Sequence, residues 1–207
     1  RILWNDKVGQ ISLAVTTLFW GAGATLQFIV LQWAQEQLNM TLDKAAMLQG
    51  IVALGIIAGS ILAGRLVNLR SSIKVLPVGV IMGLVVPLMT LASNIGTASI
   101  LLIIIGTLAG FFVVPMNALL QHRGYVTLSA GQSIAVQNFN ENSNVLVMLS
   151  VYAFLLFIDM SANTVVTLFG IFVAVTMALV IAKYRRNKST IEFDSLIGDK
   201  RSSVYQK

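Results

Sequence analysis

The chain has 207 residues, of which 57% are hydrophobic and only 11% are charged, and its 14 basic and 8 acidic residues give a net charge of +6. Soluble domains carry roughly 25% charged residues, so a mean hydropathy of +0.84 excludes a soluble domain and places the chain in a bilayer. The sequence contains no cysteine, which excludes disulfides and thiol chemistry.

Charge-free stretches define the membrane-spanning segments, at residues 8–35, 45–64 and 75–121. A spanning helix needs about 20 apolar residues. The last stretch of 47 residues must therefore hold two helices, divided at its polar patch, residues 93–97. No segment shows the alternation of polar and apolar residues that is typical of a strand in an outer-membrane barrel. We predict an all-α integral membrane bundle with six spans, at residues 10–33, 45–67, 75–92, 98–120, 132–157 and 162–182.

Basic residues concentrate on one side of these six spans. That side holds Arg1, Lys7, Arg65, Arg70, Lys74, Arg123, Lys183, Arg185, Arg186 and Lys188, and the other side holds only Lys44. The positive-inside rule therefore predicts that both termini are cytoplasmic, with residues 183–207 as a cytoplasmic tail. The net charge reflects topology, and no nucleic-acid partner is predicted. Because a spanning helix follows almost directly after Arg1, with no start methionine, we expect the sequence to be part of a longer protein.

Small residues and prolines predict where helices pack and bend. Three glycine pairs are four residues apart, the spacing that lets helix backbones approach closely in lipid. These pairs are Gly55/Gly59, Gly79/Gly83 and Gly106/Gly110. Pro77, Pro87 and Pro115 lie in or at the start of spans, where they can kink a helix.

The fifth predicted span contains an ionisable residue, Glu141. A charge at membrane depth costs roughly 2.5 to 3.5 kcal/mol on insertion scales, so we expect Glu141 to face other helices or a water-filled cavity. Four further polar residues share its helix face within an arc of about 100°. These five residues, here called the polar stripe, are Ser133, Gln137, Asn140, Glu141 and Asn144. Asn138 and Asn142 form a second pair on an adjoining face.

A milder polar stripe lies in the first span, where Thr16, Trp20, Gly23 and Gln27 follow at spacings of four, three and four residues. We expect the two stripes to face one cavity. Asn117, Gln121 and His122 lie at the cytoplasmic end of the fourth span. An alternative interpretation is that the amides only join helices by hydrogen bonds worth about 0.6 to 2 kcal/mol each. A lone carboxylate suits that role poorly.

No catalytic or metal-binding pattern is evident. One histidine and isolated carboxylates supply no metal-ligand set, and the chain has no phosphate-binding loop, nucleophile elbow or paired carboxylates. We therefore predict a protein that is not an enzyme and uses no cofactor or metal. The candidate transport-path residues are Glu141, Gln137, Asn140, Asn144, Ser133, Asn138, Trp20, Gln27 and Asn117.

Three segments carry a family resemblance. They are residues 18–26 (LFWGAGATL), 110–121 (GFFVVPMNALLQ) and 134–138 (IAVQN), the last followed by ENS at 141–143. They resemble the carboxy-terminal half of the bacterial lysophospholipid transporter family of the major facilitator superfamily, and the resemblance covers most of residues 10–182. It implies a twelve-helix protein of the bacterial inner membrane, of which this chain is the second six-helix half. The chain departs from a family member at Gln27, which replaces Arg, and at His122, which replaces Glu.

The resemblance also implies a function and partners. Family members move lysophosphatidylethanolamine and lysophosphatidylglycerol from the outer to the inner leaflet, by alternating access between their two halves. The implied partners are the lysophospholipid substrate, membrane lipids, the amino-terminal half, and an acyltransferase and acyl-carrier-protein synthetase that restores the missing chain. We expect Glu141 and the amides to contact the head group, with an ethanolamine ammonium paired to Glu141.

Two alternatives stay open. A transporter of the same superfamily for another solute, such as a drug or sugar, would share the spans and the glycine pattern. A non-transporting membrane scaffold would fill the polar stripe with protein contacts and leave no cavity.

Overall fold

A computed structural model describes residues 2–188, with side chains for all of these except Ile2, Ala130 and Lys188. In chain order the elements are α1 (Ile2–Asn5), α2 (Lys7–Leu38), α3 (Leu42–Leu66), α4 (Leu76–Val85), α5 (Ile95–Thr127), α6 (Ala130–Phe157) and α7 (Ala162–Lys188). Short 3-10 segments cover Leu69–Val75 and Val86–Leu91. Every regular element in this part of the chain is helical, which confirms the predicted all-α class.

The helical stretches match the predicted spans, with ends that differ by up to seven residues. Five helical stretches are long and apolar enough to cross a membrane: Lys7–Leu38, Leu42–Leu66, Leu69–Leu91, Ile95–Thr127 and Ala162–Asn187. The sixth, α6, has 28 residues and is about 42 Å long. It carries the polar stripe and falls outside this set, so its crossing stays a prediction. Residues 183–188 continue α7, and the rest of the predicted tail lies outside the described residues.

Short polar side chains fix where helices begin. Asn94, inside the patch that divided the long charge-free stretch, accepts a hydrogen bond of 2.9 Å from the Thr97 N–H and starts α5. Asp6 caps α2 in the same way, with its Oδ2 atom 2.5 Å from the Gly9 N–H. The sequence signal for these boundaries was therefore the residue type at the cap as well as the loss of hydrophobicity.

Pro87 changes the course of the third spanning stretch. Since proline has no N–H group, the Gly83 carbonyl four residues earlier lacks its helical donor, and α4 gives way to a 3-10 segment at Val86. Gly170 of α7 packs into this break, where a Cβ atom on Gly170 would lie 2.7 Å from the Gly83 carbonyl oxygen. Pro115, in contrast, lies inside the continuous helix α5.

Helices α3 and α5 meet through two of the predicted glycine pairs. A Cβ atom on Gly55 would lie 2.5 Å from the Ile103 carbonyl oxygen, and one on Gly59 would overlap the Thr107 carbonyl. Gly106 and Gly110 approach the α3 backbone in the same way. The close packing predicted from the four-residue spacing is thus confirmed for this pair of helices.

We expect Gly59→Ala to lower the free energy of unfolding by roughly 1 to 3 kcal/mol, because the added methyl group has no room against the α5 backbone. Thermal unfolding of the purified protein in detergent measures the change. Gly64→Ala is the matched control, because a Cβ atom there meets nothing within 4 Å on the same helix. Alanine favours a helix by about 0.8 to 1.0 kcal/mol over glycine, so the control should be neutral or stabilising. Equal melting temperatures for the two variants would contradict this packing.

Helix α2 is the centre of the bundle. It packs against α5, α6 and α7, while α7 also packs against α4. Trp33 of α2 and Phe112 of α5 are among the largest fully buried side chains. Phe112 thus belongs to the core, and the candidate site is built on the α2 face that meets α5 and α6.

Candidate functional site

The polar stripe is carried by α6, whose start is fixed by a capping box. The Ser129 hydroxyl accepts a hydrogen bond of 3.3 Å from the Gln132 N–H, and the Gln132 side-chain oxygen accepts one of 3.4 Å from the Ser129 N–H. This reciprocal pair satisfies two N–H groups that a helix start leaves without partners. Gln132 therefore serves the helix start.

Glu141 lies where three helices meet. Its Oε1 atom accepts a hydrogen bond of 2.8 Å from Gln137 Nε2, one turn earlier in α6. The same nitrogen lies 3.5 Å from Asn117 Oδ1 of α5, and the Thr16 side chain of α2 interacts with the carboxylate. Thr16 is buried and the other three are half-buried. These four residues, here called the Glu141 cluster, bring three predicted site residues together.

The Glu141 cluster keeps capacity to bind a ligand. A carboxylate has about four lone-pair sites for hydrogen bonds, and Gln137, at 2.8 Å, and Thr16 occupy two of them at most. The carboxylate is only partly shielded from the surface of this bundle. It thus presents carboxylate oxygens, with amide groups beside them, at the junction of α2, α5 and α6.

Two further members of the polar stripe bond to backbone. Asn144 Nδ2 donates to the Thr17 carbonyl of α2 at 2.9 Å, and its side chain lies directly against Gly21. Asn140 Nδ2 donates to the Val136 carbonyl of its own helix at 2.7 Å. Asn144 therefore makes the interhelical hydrogen bond that the alternative interpretation of the amides describes.

The remaining predicted site residues of α6 lie apart from the Glu141 cluster. Ser133 is buried against α5, where a Cβ atom on Gly124 would overlap its hydroxyl. Asn138 is exposed, and its carbonyl accepts a hydrogen bond of 2.8 Å from Asn142 Nδ2. Neither contacts Glu141 through a hydrogen bond given above, and their part in a path stays a prediction.

The predicted α2 residues lie nearer the surface of the bundle. Trp20 is 44% exposed and meets Phe19 edge to face, with ring centroids 5.7 Å apart. Gln27 is exposed, and its carbonyl accepts a hydrogen bond of 2.9 Å from Gln49 Nε2 of α3. Of the milder stripe, only Thr16 joins the Glu141 cluster.

An apolar groove of about 400 Å³ continues the polar stripe along α6. Its α6 wall consists of Asn144, Val147, Met148, Val151, Tyr152 and Leu155, and residues of α2 and α7 face them. Sequence reasoning missed this groove, because apolar side chains in an apolar span carry no contrast. The available signal was the continuation of the stripe's three- and four-residue spacing beyond Asn144.

A polar network, here called the Glu36 network, joins α2, α6 and α7 at the far end of the groove. The Tyr152 hydroxyl donates to Gln32 Oε1 at 2.9 Å, and Gln32 Nε2 donates to Glu36 Oε1 at 2.6 Å. Glu36 Oε2 in turn accepts from the N–H of Ala162, the first residue of α7, at 3.0 Å. A carboxylate at a helix N-terminus is favourable there.

An ion pair joins α2 and α5 near the start of α6. Arg123 Nη2 lies 2.5 Å from Asp6 Oδ1, and Arg123 Nε donates to Asp6 Oδ2 at 3.1 Å. The side chains are 5% and 14% exposed. This two-bond geometry is the strongest form of an arginine–carboxylate contact, and the same carboxylate caps α2.

Within residues 2–188, no group of three or more His, Cys, Asp and Glu side chains is placed to hold a metal ion. The chemistry available at the site is thus that of one carboxylate, several amides and adjacent apolar surface. Such a set offers polar contacts for one end of an amphiphilic molecule and apolar contacts for the other.

The helical bundle and its hydrophobic spans define a multi-pass α-helical membrane protein, with a polar cluster beside an apolar groove between α2, α6 and α7. The chain is homologous to the lysophospholipid transporters LplT. Its relatives are thus transporters and not an enzyme family.

Three relatives illustrate the similarity. LplT of Pectobacterium carotovorum subsp. carotovorum (strain PC1) is 46% identical over 155 residues, which cover 74% of this chain and 38% of the relative. LplT of Yersinia pestis (strain Pestoides F) and of Yersinia pseudotuberculosis (serotype O:3, strain YPIII) give the same identity and coverage. The chain thus spans less than two thirds of the length of these relatives. No family model matches the chain, and no solved structure matches it.

Proposed function

We propose that this chain forms the carboxy-terminal six-helix half of a twelve-helix major facilitator transporter for lysophospholipids. The observation that carries the proposal is the 46% identity to LplT transporters over 155 residues. In this proposal α6 crosses the bacterial inner membrane with the five more apolar spans, and both ends of the segment face the cytoplasm. The amino-terminal half supplies the other wall of the path.

The Glu141 cluster is suited to a lipid head group. Within α6, Glu141 lies about 17 Å from the first residue and about 24 Å from the last, so it sits well inside the bilayer. Its carboxylate pairs with the ammonium of an ethanolamine head, while Asn117 Nδ2 donates to a phosphate oxygen and the Gln137 side-chain oxygen accepts from the glycerol hydroxyl. A polar group at this depth beside apolar surface matches a substrate with one polar and one apolar end.

Helix connections at both ends of this half support alternating access by movement of one half against the other. The Glu36 network ties α2, α6 and α7 at one end. The Arg123–Asp6 ion pair ties α2 and α5 at the other. We therefore expect this half to move as one body.

The proposed partner is an enzyme that uses the transported lipid. The lysolipid delivered to the inner leaflet is the substrate of an acyltransferase and acyl-carrier-protein synthetase.

Leaflet transfer in reconstituted liposomes tests the proposal. The protein encoded by the complete gene should move lysophosphatidylethanolamine and lysophosphatidylglycerol to the inner leaflet. The rate should exceed the rate of spontaneous transfer in protein-free liposomes. Two-chain phosphatidylethanolamine and a sugar should not move. Transport of a sugar or drug without lysolipid movement would establish the other superfamily function instead, and no transport of any of these solutes would favour a scaffold.

A further inference from the structure

One face of α6 changes from polar to apolar along its length. Gln137, Glu141, Asn144, Met148, Val151 and Leu155 follow one another at spacings of four, three, four, three and four residues. Side chains at these spacings lie on the same face of a helix. The first three are polar and the last three are apolar, so this face matches the two ends of an amphiphile in sequence.

The apolar groove opens on the outside of the bundle. Its floor contains Ile29 of α2, which is buried, while Val151 of α6 and Leu168 of α7 are exposed at its rim. Helix α6 packs mainly on α2 and α7 packs mainly on α4 and α2, so the groove lies between α6 and α7. A ligand can therefore enter it from the side.

The groove has the length of one lipid chain. From Asn144 to Leu155 the helix rises about 16 Å, and one leaflet contributes about half of the roughly 30 Å hydrocarbon core. Its volume of about 400 Å³ is near the lower end of the range for small-molecule sites, roughly 300 to 1,000 Å³. At its far end the Tyr152 hydroxyl bonds to Gln32, so the tyrosine presents its ring to the groove.

We propose that the apolar groove between α2, α6 and α7 is the acyl-chain subsite of the transporter. This inference rests on the proposed function and adds the location of the tail. The Glu141 cluster holds the head group, Asn144 marks the junction, and the single acyl chain extends along Met148, Val151 and Leu155. The length and volume of the groove match one chain, so the groove should favour lipids with a single chain.

Val151→Trp tests the subsite by filling the groove. Val151 is 54% exposed, so the larger side chain extends into the groove and not into the core. Uptake of palmitoyl lysophosphatidylethanolamine should fall by about tenfold, the effect expected when roughly two methylene groups lose their apolar site. Uptake of the octanoyl lipid, which has the same head group and a chain half as long, should fall much less. Leu168→Trp fills the groove from α7 and should act in the same way.

Leu146→Trp is the matched control, because Leu146 lies on the opposite face of α6 and is 67% exposed. It should leave uptake of both lipids unchanged. The subsite would be overturned if Val151→Trp and Leu146→Trp had equal effects, or if Val151→Trp reduced uptake of the palmitoyl and octanoyl lipids equally. In both cases, uptake by the wild-type protein would still support the transport function. The subsite would also be overturned if Val151→Trp kept palmitoyl lipid uptake but no longer copurified with a two-chain phospholipid. That result would assign the groove to a bilayer lipid. A wild-type protein that moves neither lysolipid would refute the proposed function itself.

Discussion

Replacing Glu141 with glutamine is expected to slow transport of lysophosphatidylethanolamine by roughly thirtyfold, with little effect on lysophosphatidylglycerol. Losing one partner of a buried charge pair costs about 2 kcal/mol or more, and about 1.4 kcal/mol is a factor of ten. Glutamine keeps an oxygen that accepts the Gln137 hydrogen bond, so the change removes mainly the charge. The glycerol head has no ammonium group to pair with Glu141. Initial rates of leaflet transfer for the two lipids measure the difference.

Glu36→Gln provides the matched control for this experiment. Glu36 is a second carboxylate of the bundle, and it bonds to Gln32 and to the α7 N-terminus, away from the Glu141 cluster. Its replacement should affect both head groups alike and only slightly. If Glu141→Gln slowed both lipids equally, the carboxylate would serve packing or ion coupling, and the head-group contact would be wrong.

The spanning helices were predictable from sequence because the bilayer leaves few alternatives. Backbone groups in hydrocarbon must bond within their own segment, so a long apolar stretch becomes a helix. Residues 75–121 required a cut, and Asn94 at that cut is the cap of α5. Helix α6 was predicted as a span as well, but its polar stripe makes it less apolar than the other five. It is nevertheless 28 residues long.

Glu141 was predictable as a site residue because a lone carboxylate is costly in a bilayer. The residues that contact Glu141 were harder to predict. Helical spacing placed Asn144 and Ser133 beside it, but the structure shows that Asn144 bonds to the Thr17 carbonyl of α2 and that Ser133 packs on α5. Spacing within one helix gives the face of a residue and not the neighbour that this face meets.

Contacts between distant parts of the chain could not be predicted from the sequence. Asp6 and Arg123 are 117 residues apart, and of the two only Arg123 was considered, as a topology marker. The Glu36 network was missed for the same reason, since its donors come from α2, α6 and the start of α7. Each depends on which helices pack together, and that arrangement is set by side-chain fit along whole helices.

Replacing Arg123 with methionine is expected to lower the free energy of unfolding by about 3 kcal/mol. Removing one partner of a buried ion pair typically costs about 3 to 5 kcal/mol, because the other charge is left uncompensated. Asp6 is only 14% exposed, but it still accepts from the Gly9 N–H at the α2 N-terminus. That favourable helix position places the expected loss at the lower end of the range. Chemical or thermal unfolding of the purified protein in detergent measures it.

A double variant separates the ion pair from the helix cap. Asp6→Asn combined with Arg123→Met removes both charges and retains a cap acceptor, since asparagine caps helices about as well as aspartate. It should be more stable than Arg123→Met alone, because the stranded carboxylate is the main cost. Asp43→Asn, at the exposed start of α3, is the control and should change stability by less than about 0.5 kcal/mol. Both variants carry the same methionine, so a double variant less stable than Arg123→Met would show that the charge of the Asp6 cap, and not its pairing with Arg123, stabilises this end of α2.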